Sequence, residues 1–435
     1  MANRTKIAVV GAGSASFGGQ TVRDFVHFRD ELRGSTIVLT DINPVSLEKM
    51  ARFMKRVCDD EYVVESTRDL NEALDGAQFV FNATAVKRNE LWRADLEIPR
   101  KYGIMQPLGE NGGPGSVFFT MRSMAIATKI ARAIMERCPT AQLINYSNPE
   151  SRIVAALGRL FPKLKQFGLC HGIFIARDQI ARDILGVSPE RIDVWGAGVN
   201  HFQWILHLRE KATNRDLYPD LRQEVRWLLA GKDPENEAVR TNMIGLELCA
   251  EYGFFPSPGG AHIAEQGFAN GFEYSDLECV DRAEDEGKRF WQAIDTAIDP
   301  SQPLAPWWRE PSGEKGVEIV ASIVNNTRRF IESAVVCNHG AIPNLPEGIA
   351  VEVPVVADGT GVYPVSLGPL PEVLALKLEA AVTAQKFAVH AAIEGTREAA
   401  WQAFMSDVAV HSRDAAKKAF NELWEINQPY IMPLR

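Results

Sequence analysis

The sequence predicts an α/β fold, with a doubly wound parallel sheet followed by a mostly helical α+β second domain. Strand-like apolar runs alternate with helical patterns from residue 6 to about residue 204, which is typical of a parallel sheet covered by helices on both faces. Beyond Trp204 the chain changes to charged helical segments and a stretch of possible strands. A chain of 435 residues also exceeds what one core usually holds. We therefore expect one domain over 1–204 and a helix-rich second domain with a small sheet over 205–435.

Composition and charge argue against several classes of protein. Hydrophobic residues make up 46% of the chain and charged residues 24%, as in ordinary globular proteins. The net charge of −9 argues against a nucleic-acid-binding surface. The cysteines are scattered, which favours a reducing compartment. The N terminus is polar and lacks an apolar signal or membrane-spanning run, so we expect a cytoplasmic protein that contacts neither nucleic acid nor membrane.

The first strand ends in a glycine turn that precedes a helix, in the segment "KIAVVGAGSASFGGQTVRDFV". Gly11 and Gly13 permit a tight turn and a close approach of a pyrophosphate, and the helix that begins near Ser16 offers free N–H groups. Ser14 and Ser16 are further candidate cofactor contacts, with Ser16 at the third position of the glycine fingerprint. The sequence therefore predicts a Rossmann-type, dinucleotide-binding first domain.

The second strand, "STIVLTDI", ends in Asp41. A carboxylate there can accept hydrogen bonds from an adenosine ribose and disfavours a 2′-phosphate, so it predicts NAD rather than NADP. The alternative is that Asp41 is only a turn residue or the N-cap of the following helix. Asn82 ends the next predicted strand, "AQFVFNATA", on the side where ligands bind in open α/β sheets.

A glycine-rich loop, "QPLGENGGPGSVFF", follows a basic segment that contains Arg88. The loop surrounds Glu110 and Asn111, and flexible loops beside a cofactor site are often functional. We therefore treat Arg88 as a candidate substrate contact and the loop around Glu110 as a candidate functional loop.

Three polar signals between Asn145 and His201 each end an apolar run: Asn148-Pro149, Cys170-His171 and Asn200-His201. A thiolate and an imidazole are good ligands for a divalent transition metal. Cys170 and His201 are therefore candidate metal ligands at one sheet edge. The alternative is that they are ordinary buried core residues, since free cysteine is among the most buried residue types.

The segment "GFFPSPGGAHIAEQGFANGF" interrupts the helical second half. It combines Pro and Gly turns with His262 and Glu265, which predicts either a second active-site loop or a solvated turn. The segment "PWWRE" supplies two tryptophans and Arg309. Sugars stack on tryptophan faces and arginine forms a fork for anions, but a packed tryptophan pair beside a surface arginine is the alternative.

A family resemblance follows from the motifs "VVGAGS", "TDI", "GPGS" followed by "MRS", "NYSNP", "GLCHG", "GVNHF" and "LPEGIAVEVPVVADGTGVYPVSLGPLP". Together they resemble the NAD- and manganese-dependent glycosidases of glycoside hydrolase family 4 and their close relatives. The likeness runs from residue 6 to about residue 425. It implies NAD and Mn²⁺, or another divalent metal, as cofactors, a small glycoside as substrate, and a homodimer or homotetramer.

The resemblance also implies a mechanism that departs from the two-carboxylate glycosidases. The sugar is oxidised at C3, the aglycone is eliminated after loss of the C2 proton, water adds, and the hydride returns. Cys170 and His201 match the metal ligands, and Asn148 matches the residue that orients the sugar hydroxyls. Glu110 lies at the position of the leaving-group acid. No tyrosine lies within "AHIAEQ", so the base is either His262 or Tyr252.

Substrate preference follows from the residues after the metal cysteine. The histidine at position 171 resembles the residue found there in the subgroup that acts on unphosphorylated α-glycosides. The glycine at position 172 is more similar to the α-glucuronidases than to the α-galactosidases. A substrate with an anionic C6 group, such as a glucuronide or a sulfoquinovoside, is therefore predicted, with Arg309 as a possible anion contact. The alternatives are a neutral α-glucosidase or α-galactosidase of the same mechanism, a simple NAD-dependent 2-hydroxy acid dehydrogenase, and an NAD-binding regulatory protein.

Overall fold

The computed structural model describes residues 4–15, 18–231, 236–267, 277–431 and Leu434. Within these ranges the strands are β1 (Lys6–Val10), β2 (Thr36–Thr40), β3 (Val63–Thr67), β4 (Phe79–Asn82), β5 (Gln142–Asn145), β6 (Lys165–Gly168), β7 (Ile192–Val199), β8 (Phe202–Glu210), β9 (Pro256–Ser257), β10 (Arg329–Cys337), β11 (Ala350–Asp358) and β12 (Gly361–Pro364).

The helices connect the strands and cover the sheet. They are α1 (Gly18–His27), α2 (Arg29–Leu32), α3 (Pro44–Cys58), α4 (Leu70–Leu74), α5 (Arg88–Lys101), α6 (Gly115–Arg137), α7 (Glu150–Leu160), α8 (Gly172–Asp178), α9 (Tyr218–Gly231), α10 (Glu237–Tyr252), α11 (Ala261–Ala264), α12 (Glu278–Ile298), α13 (Gly316–Asn325), α14 (Glu372–Lys377), α15 (Glu379–Glu394), α16 (Arg397–Met405) and α17 (Arg413–Asn427). In the part of the chain described, no helix has the length and apolar character needed to cross a membrane.

The first half forms the predicted parallel sheet. Its strands run in the order β3-β2-β1-β4-β5-β6, and each neighbouring pair is parallel. Successive residues of β1 enter cores on opposite faces, with Ile7 in one and Ala8 in the other, because helices cover both sides of a parallel sheet. The fold class predicted from the sequence is confirmed. Strand β3 escaped the prediction because it lies at the sheet edge and is largely exposed.

The second half differs from the prediction of a separate small sheet. Its strands extend the first sheet in the order β6-β10-β11-β7-β8-β9, with antiparallel pairing. Val335 of β10 pairs with Gly168 of β6, so one twelve-stranded sheet runs through both halves of the described chain. The expected boundary between residues 204 and 205 lies inside β8, which is paired to β7 along its length.

Candidate functional site

A cavity of about 660 Å³ opens at the carboxyl ends of β1, β2, β4 and β5. This is where ligands bind in open α/β sheets. We call it the edge cavity. The predicted residues that line it are Gly11, Gly13, Ser14, Asp41, Arg88 and Asn148. Ser16 lies outside the described residues.

The glycine turn after β1 needs its glycines. Gly11 has φ +83°, and a Cβ on it would lie 2.7 Å from the carbonyl oxygen of Ala83. A Cβ on Gly13 would lie 2.7 Å from Cβ of Ser46. Both positions therefore exclude side chains, and the backbone is free to approach a phosphate closely, as the fingerprint predicts.

Asp41 directly follows β2 and lines the same cavity. Its Oδ2 accepts a hydrogen bond from the Gly13 amide at 2.9 Å, and its Oδ1 accepts one from the Asn43 amide at 2.8 Å. The N-cap of α3 is Asn43, so Asp41 has a turn contact but no capping role. Its carboxylate lines the cavity.

Asn82 is buried beneath the cavity and does not line it. Its amide donates to Oδ1 of Asn145 at 2.8 Å, and its Oδ1 accepts from the Thr84 hydroxyl at 2.7 Å. It therefore links the ends of β4 and β5 and holds Thr84, which does line the cavity.

Three possible metal ligands, Glu110, His201 and His262, meet in one cluster, with ligand atoms that all lie within 4.8 Å of one another. We call them the donor cluster. His201 occupies the turn between β7 and β8 with φ +65°, a strained conformation of the kind found at functional sites. His262 lies on α11, and Glu110 lies in the glycine-rich loop before α6. One carboxylate and two imidazoles suit a divalent transition metal.

The two imidazoles of the donor cluster are held in their neutral form. Burial lowers the pKa of His201 to about 4. Burial and the neighbouring His201 together lower the pKa of His262 to about 4. Their ring centroids lie 4.3 Å apart in an edge-to-face arrangement. Neutral imidazole is the form that binds a metal or accepts a proton.

Arg88 connects the donor cluster to the edge cavity. Its guanidinium donates to the Glu110 carboxylate and lies 3.9 Å from the centre of the Trp92 ring. Among the described residues, Nη1 of Arg88 has no hydrogen-bond partner. A buried guanidinium N–H without a partner is costly, which makes Arg88 a candidate contact for an anionic ligand.

Cys170 lies close to the turn that carries His201 but is not one of the clustered donors. Its thiol interacts with the side chain of Asn200 and with the Gly172 amide, and burial raises its pKa well above the usual range. Asn200 also donates to Glu352 at 3.0 Å. Cys170 therefore contacts Asn200, the residue directly before His201. His201 itself lies in the cluster with Glu110 and His262.

His171 follows Cys170 and immediately precedes α8. Its Nε2 lies 2.5 Å from Oε1 of Glu314. Burial lowers the pKa of His171, but the hydrogen bond and negative charge of Glu314 outweigh burial and raise it overall. Glu314 is buried and was not among the predicted site residues, because nothing in "PSGEKG" distinguishes it from a surface acid.

Two predicted residues lie elsewhere. Tyr252, at the end of α10, packs against Trp204 in a tilted arrangement with 5.7 Å between ring centroids. Arg309 is more than half exposed and lies 3.9 Å from Asp59, which follows the last residue of α3. Since α3 starts beside the edge cavity and carries the chain about 20 Å away, the structure does not bring Arg309 to the cavity.

The tryptophans beside Arg309 form the packed pair that was the alternative to a sugar platform. Trp307 and Trp308 stack with 3.8 Å between ring centroids. Trp308 is buried against Phe53 of α3. The pair anchors the 306–309 turn to α3.

An edge cavity beside a donor cluster defines a metal-assisted enzyme on a dinucleotide-binding fold. Comparison with known proteins gives its family. Residues 6–186 match the family 4 glycosyl hydrolase model, and residues 196–410 match the model of the family 4 glycosyl hydrolase C-terminal domain. The chain belongs to glycosyl hydrolase family 4 and is a glycosidase. This confirms the resemblance found in the motifs.

Relatives match along the whole chain. An α-glucosidase of Erwinia rhapontici is 31% identical, and the match covers 99% of this chain and all of the relative. An α-galacturonidase of Thermoanaerobacter italicus is 29% identical over 98% of this chain and 97% of the relative. The fold matches a 6-phospho-α-glucosidase from gut microorganisms, solved with NAD and Mn²⁺, with a TM-score of 0.84, 21% identity and coverage of 98% and 99%.

Proposed function

We propose that this chain hydrolyses an unphosphorylated α-glycoside by oxidation at C3, elimination of the aglycone, addition of water and reduction. The observation that supports this best is the position of Arg88, which lines the edge cavity and also pairs with Glu110 of the donor cluster. The cavity and the cluster therefore adjoin, as a reaction that combines a nicotinamide with a metal requires. We further propose that the chain is a homodimer or homotetramer in solution, which sedimentation would test.

The residues present fit both cofactors. Gly11 and Gly13 leave room for a pyrophosphate, and Asp41 offers a carboxylate to a ribose, so we propose NAD in the edge cavity. Similar folds have been solved with NAD and Mn²⁺. When bound, NAD accepts and returns a hydride, and the metal polarises the sugar oxygens.

We propose His201 as a metal ligand, because it belongs both to the donor cluster and to the Cys170–His201 pair predicted from the motifs. Glu110 and His262, whose ligand atoms lie within 4.8 Å of those of His201, are proposed below as the acid and the base beside the metal. We propose Cys170 as a second ligand. Its thiol interacts with the side chain of Asn200, the residue directly before His201. Cys170 and His262 can be removed separately, so each contribution can be measured.

The remaining site residues bind the sugar and move protons. Asn148 lines the edge cavity and is proposed to orient the sugar hydroxyls. His171, held by Glu314, is proposed as a second sugar contact. His262 is proposed as the C2 base, because its ring lies against His201 whereas Tyr252 packs on Trp204. Glu110 is proposed as the leaving-group acid, and Arg88 pairs with one of its two carboxyl oxygens.

We propose a substrate with an anionic group on C6, such as a glucuronide or a sulfoquinovoside. Arg88 is proposed as the contact for that anion, because it lines the cavity and its Nη1 has no hydrogen-bond partner among the described residues. Arg68 also lines the cavity, but its guanidinium donates to the Ile42 carbonyl. Arg309 is not available, because it lies at the far end of α3. The alternative is a neutral α-glucoside or α-galactoside cleaved by the same mechanism.

A panel of aryl α-glycosides tests this proposal. Glucoside, galactoside, glucuronide and sulfoquinovoside are assayed with NAD and Mn²⁺, and both aglycone and NADH are measured. We expect aglycone release without net NADH, with the two anionic substrates preferred, and we expect Arg88→Met to remove that preference. One NADH per turnover would indicate a dehydrogenase, and preference for the neutral sugars would favour the alternative substrate class.

A further inference from the structure

Glu265 joins the three segments that carry the donor cluster. Its Oε1 accepts a hydrogen bond from the Glu110 amide at 2.6 Å, and its Oε2 accepts one from the Asn111 amide at 3.4 Å. The same Oε2 lies 3.6 Å from Nδ1 of His201. Glu265 also directly follows α11, which carries His262. One buried carboxylate therefore contacts the loop of Glu110 and the turn of His201 from the segment of His262.

The loop meets Glu265 at very short range. A Cβ on Gly112 would lie 2.3 Å from the backbone oxygen of Glu265, so only glycine fits there. The side-chain amide of Asn111 lies 3.1 Å from Nδ1 of His201. The backbone carbonyl of Asn111 accepts a hydrogen bond from Arg152 at 2.6 Å. These contacts hold the loop in a single position against the imidazole.

Groups behind a metal ligand set its orientation. A histidine ligand commonly has a carboxylate or carbonyl at its second ring nitrogen, and removal of such a partner typically costs about 10- to 100-fold in metal affinity. A carboxylate that accepts backbone N–H groups also fixes the loop that donates them. Glu265 fixes the loop directly, through the backbone amides of Glu110 and Asn111. Its distance of 3.6 Å from Nδ1 of His201 is too long for a hydrogen bond, and the same Nδ1 has the Asn111 side-chain amide at 3.1 Å, so Glu265 orients His201 through Asn111.

We infer that Glu265 is a positioning residue that holds the proposed metal ligand His201 against Glu110 and His262, so that the metal and the proposed acid and base keep one arrangement. This inference rests on the metal proposed for the donor cluster. Glu265 acts through the donors, not on the sugar, so its removal lowers metal affinity directly and activity as a consequence. NAD affinity is independent of it, because Glu265 is not among the residues that line the edge cavity.

The test measures Mn²⁺ binding to the metal-free protein by the loss of the free-ion electron paramagnetic resonance signal. We expect Glu265→Ala to weaken Mn²⁺ binding about 10- to 100-fold, and Glu265→Gln, which keeps one acceptor oxygen, to weaken it less. Hydrogen exchange of the 108–113 loop should be faster in both variants without metal. NAD affinity should stay at the wild-type value.

Asp24→Asn is the matched control. Asp24 is also a buried carboxylate, and it accepts two hydrogen bonds, from the amide and hydroxyl of Ser312. The Asp24→Asn substitution should leave Mn²⁺ affinity unchanged. The Gln variant keeps the side-chain volume, so the test remains valid if the Ala variant does not fold.

The outcomes separate this inference from the proposed function. Wild-type Mn²⁺ affinity in Glu265→Gln and Glu265→Ala would overturn the positioning role and leave the metal proposal intact. Equal loss of Mn²⁺ and NAD affinity would also overturn it, because that pattern indicates general damage to the fold. Absence of Mn²⁺ binding by the wild type would contradict the metal proposal and this inference together.

Discussion

The backbone amide of Gly13 donates a hydrogen bond of 2.9 Å to Oδ2 of Asp41. The contact joins the glycine turn after β1 to the end of β2, and both residues line the edge cavity. One hydrogen bond therefore maintains the spacing between the turn that we propose binds the pyrophosphate and the carboxylate that we propose binds the ribose.

Asp41→Ala should weaken NAD binding and narrow its advantage over NADP. Loss of a hydrogen bond to a charged group corresponds to about 10-fold or more in affinity, and removal of the negative charge relieves repulsion of a 2′-phosphate. Calorimetry with both dinucleotides measures the effect. Asp69→Ala is the control, because Asp69 also accepts from two backbone amides but caps α4. An unchanged NAD-to-NADP ratio would contradict the assigned role.

Removal of metal should abolish activity, and added Mn²⁺ should restore it. We expect His201→Ala to lose the metal, since His201 belongs to both proposed ligand sets, and Cys170→Ser to lose most of it, because a hydroxyl is a poor substitute for a thiolate. Elemental analysis measures the bound metal, with the buried Cys138 changed to serine as the control. If Cys170→Ser keeps its metal while His262→Ala loses it, the donor cluster alone forms the site.

The sugar released in heavy water should carry deuterium at C2. Oxidation at C3 acidifies the C2 proton, and the proton returned there comes from a base in exchange with solvent. We expect His262→Ala to suppress this exchange and Tyr252→Phe to leave it nearly unchanged, because Tyr252 packs on Trp204. Nuclear magnetic resonance of the product measures it. Protium at C2 after full turnover would contradict the whole mechanism, since an oxocarbenium route leaves that bond intact.

Glu110→Gln should slow substrates with poor leaving groups far more than activated aryl glycosides. Only a poor leaving group needs a proton as it departs, and general acid catalysis contributes about 10²- to 10⁴-fold. Rates across aryl glycosides of graded leaving-group pKa measure the dependence. Glu90→Gln is the control, since Glu90 is exposed and pairs with Lys87. An equal loss for all leaving groups would instead point to a role in metal binding.

Stability should decline between about pH 4 and pH 7 through Asp24. Burial raises the pKa of Asp24 to about 7 despite its hydrogen bonds to Ser312. The folded state binds the Asp24 proton more tightly than the unfolded state. The protonated carboxyl group therefore stabilises the fold fully below the pKa of the unfolded state, and this stabilisation is lost as pH rises through the pKa of the folded state. The limit is about 1.4 kcal/mol per pH unit. Denaturant unfolding of the wild type and Asp24→Asn should diverge with rising pH, and parallel curves would contradict it.

Local sequence was sufficient to predict the cofactor end of the site. Gly11 and Gly13 lie in the turn between β1 and α1, and Asp41 directly follows β2, so residues near each of them in the sequence determine their positions. Arg309 could not be placed in this way. Its location depends on Trp308 packing against Phe53 of a distant helix, which no local pattern encodes.

Long-range pairing limited the prediction of the second half. Strand β10 is inserted beside β6, and hydrophobic periodicity predicts a strand without predicting its partner. The donor cluster was only partly predicted for the same reason. His262 and Glu265 were recognised as one polar loop, but their approach to His201 depends on how α11 packs against the β7–β8 turn.

The insertion of β10 beside β6 has a consequence for the chain as a folding unit. Without β10, strand β6 would present unpaired backbone groups along a sheet edge, which promotes aggregation. A fragment that ends where the first family model ends, at residue 186, would retain the glycine turn after β1 but expose this edge. We therefore expect the first half of the chain to remain soluble and monomeric only when the second half is synthesised with it.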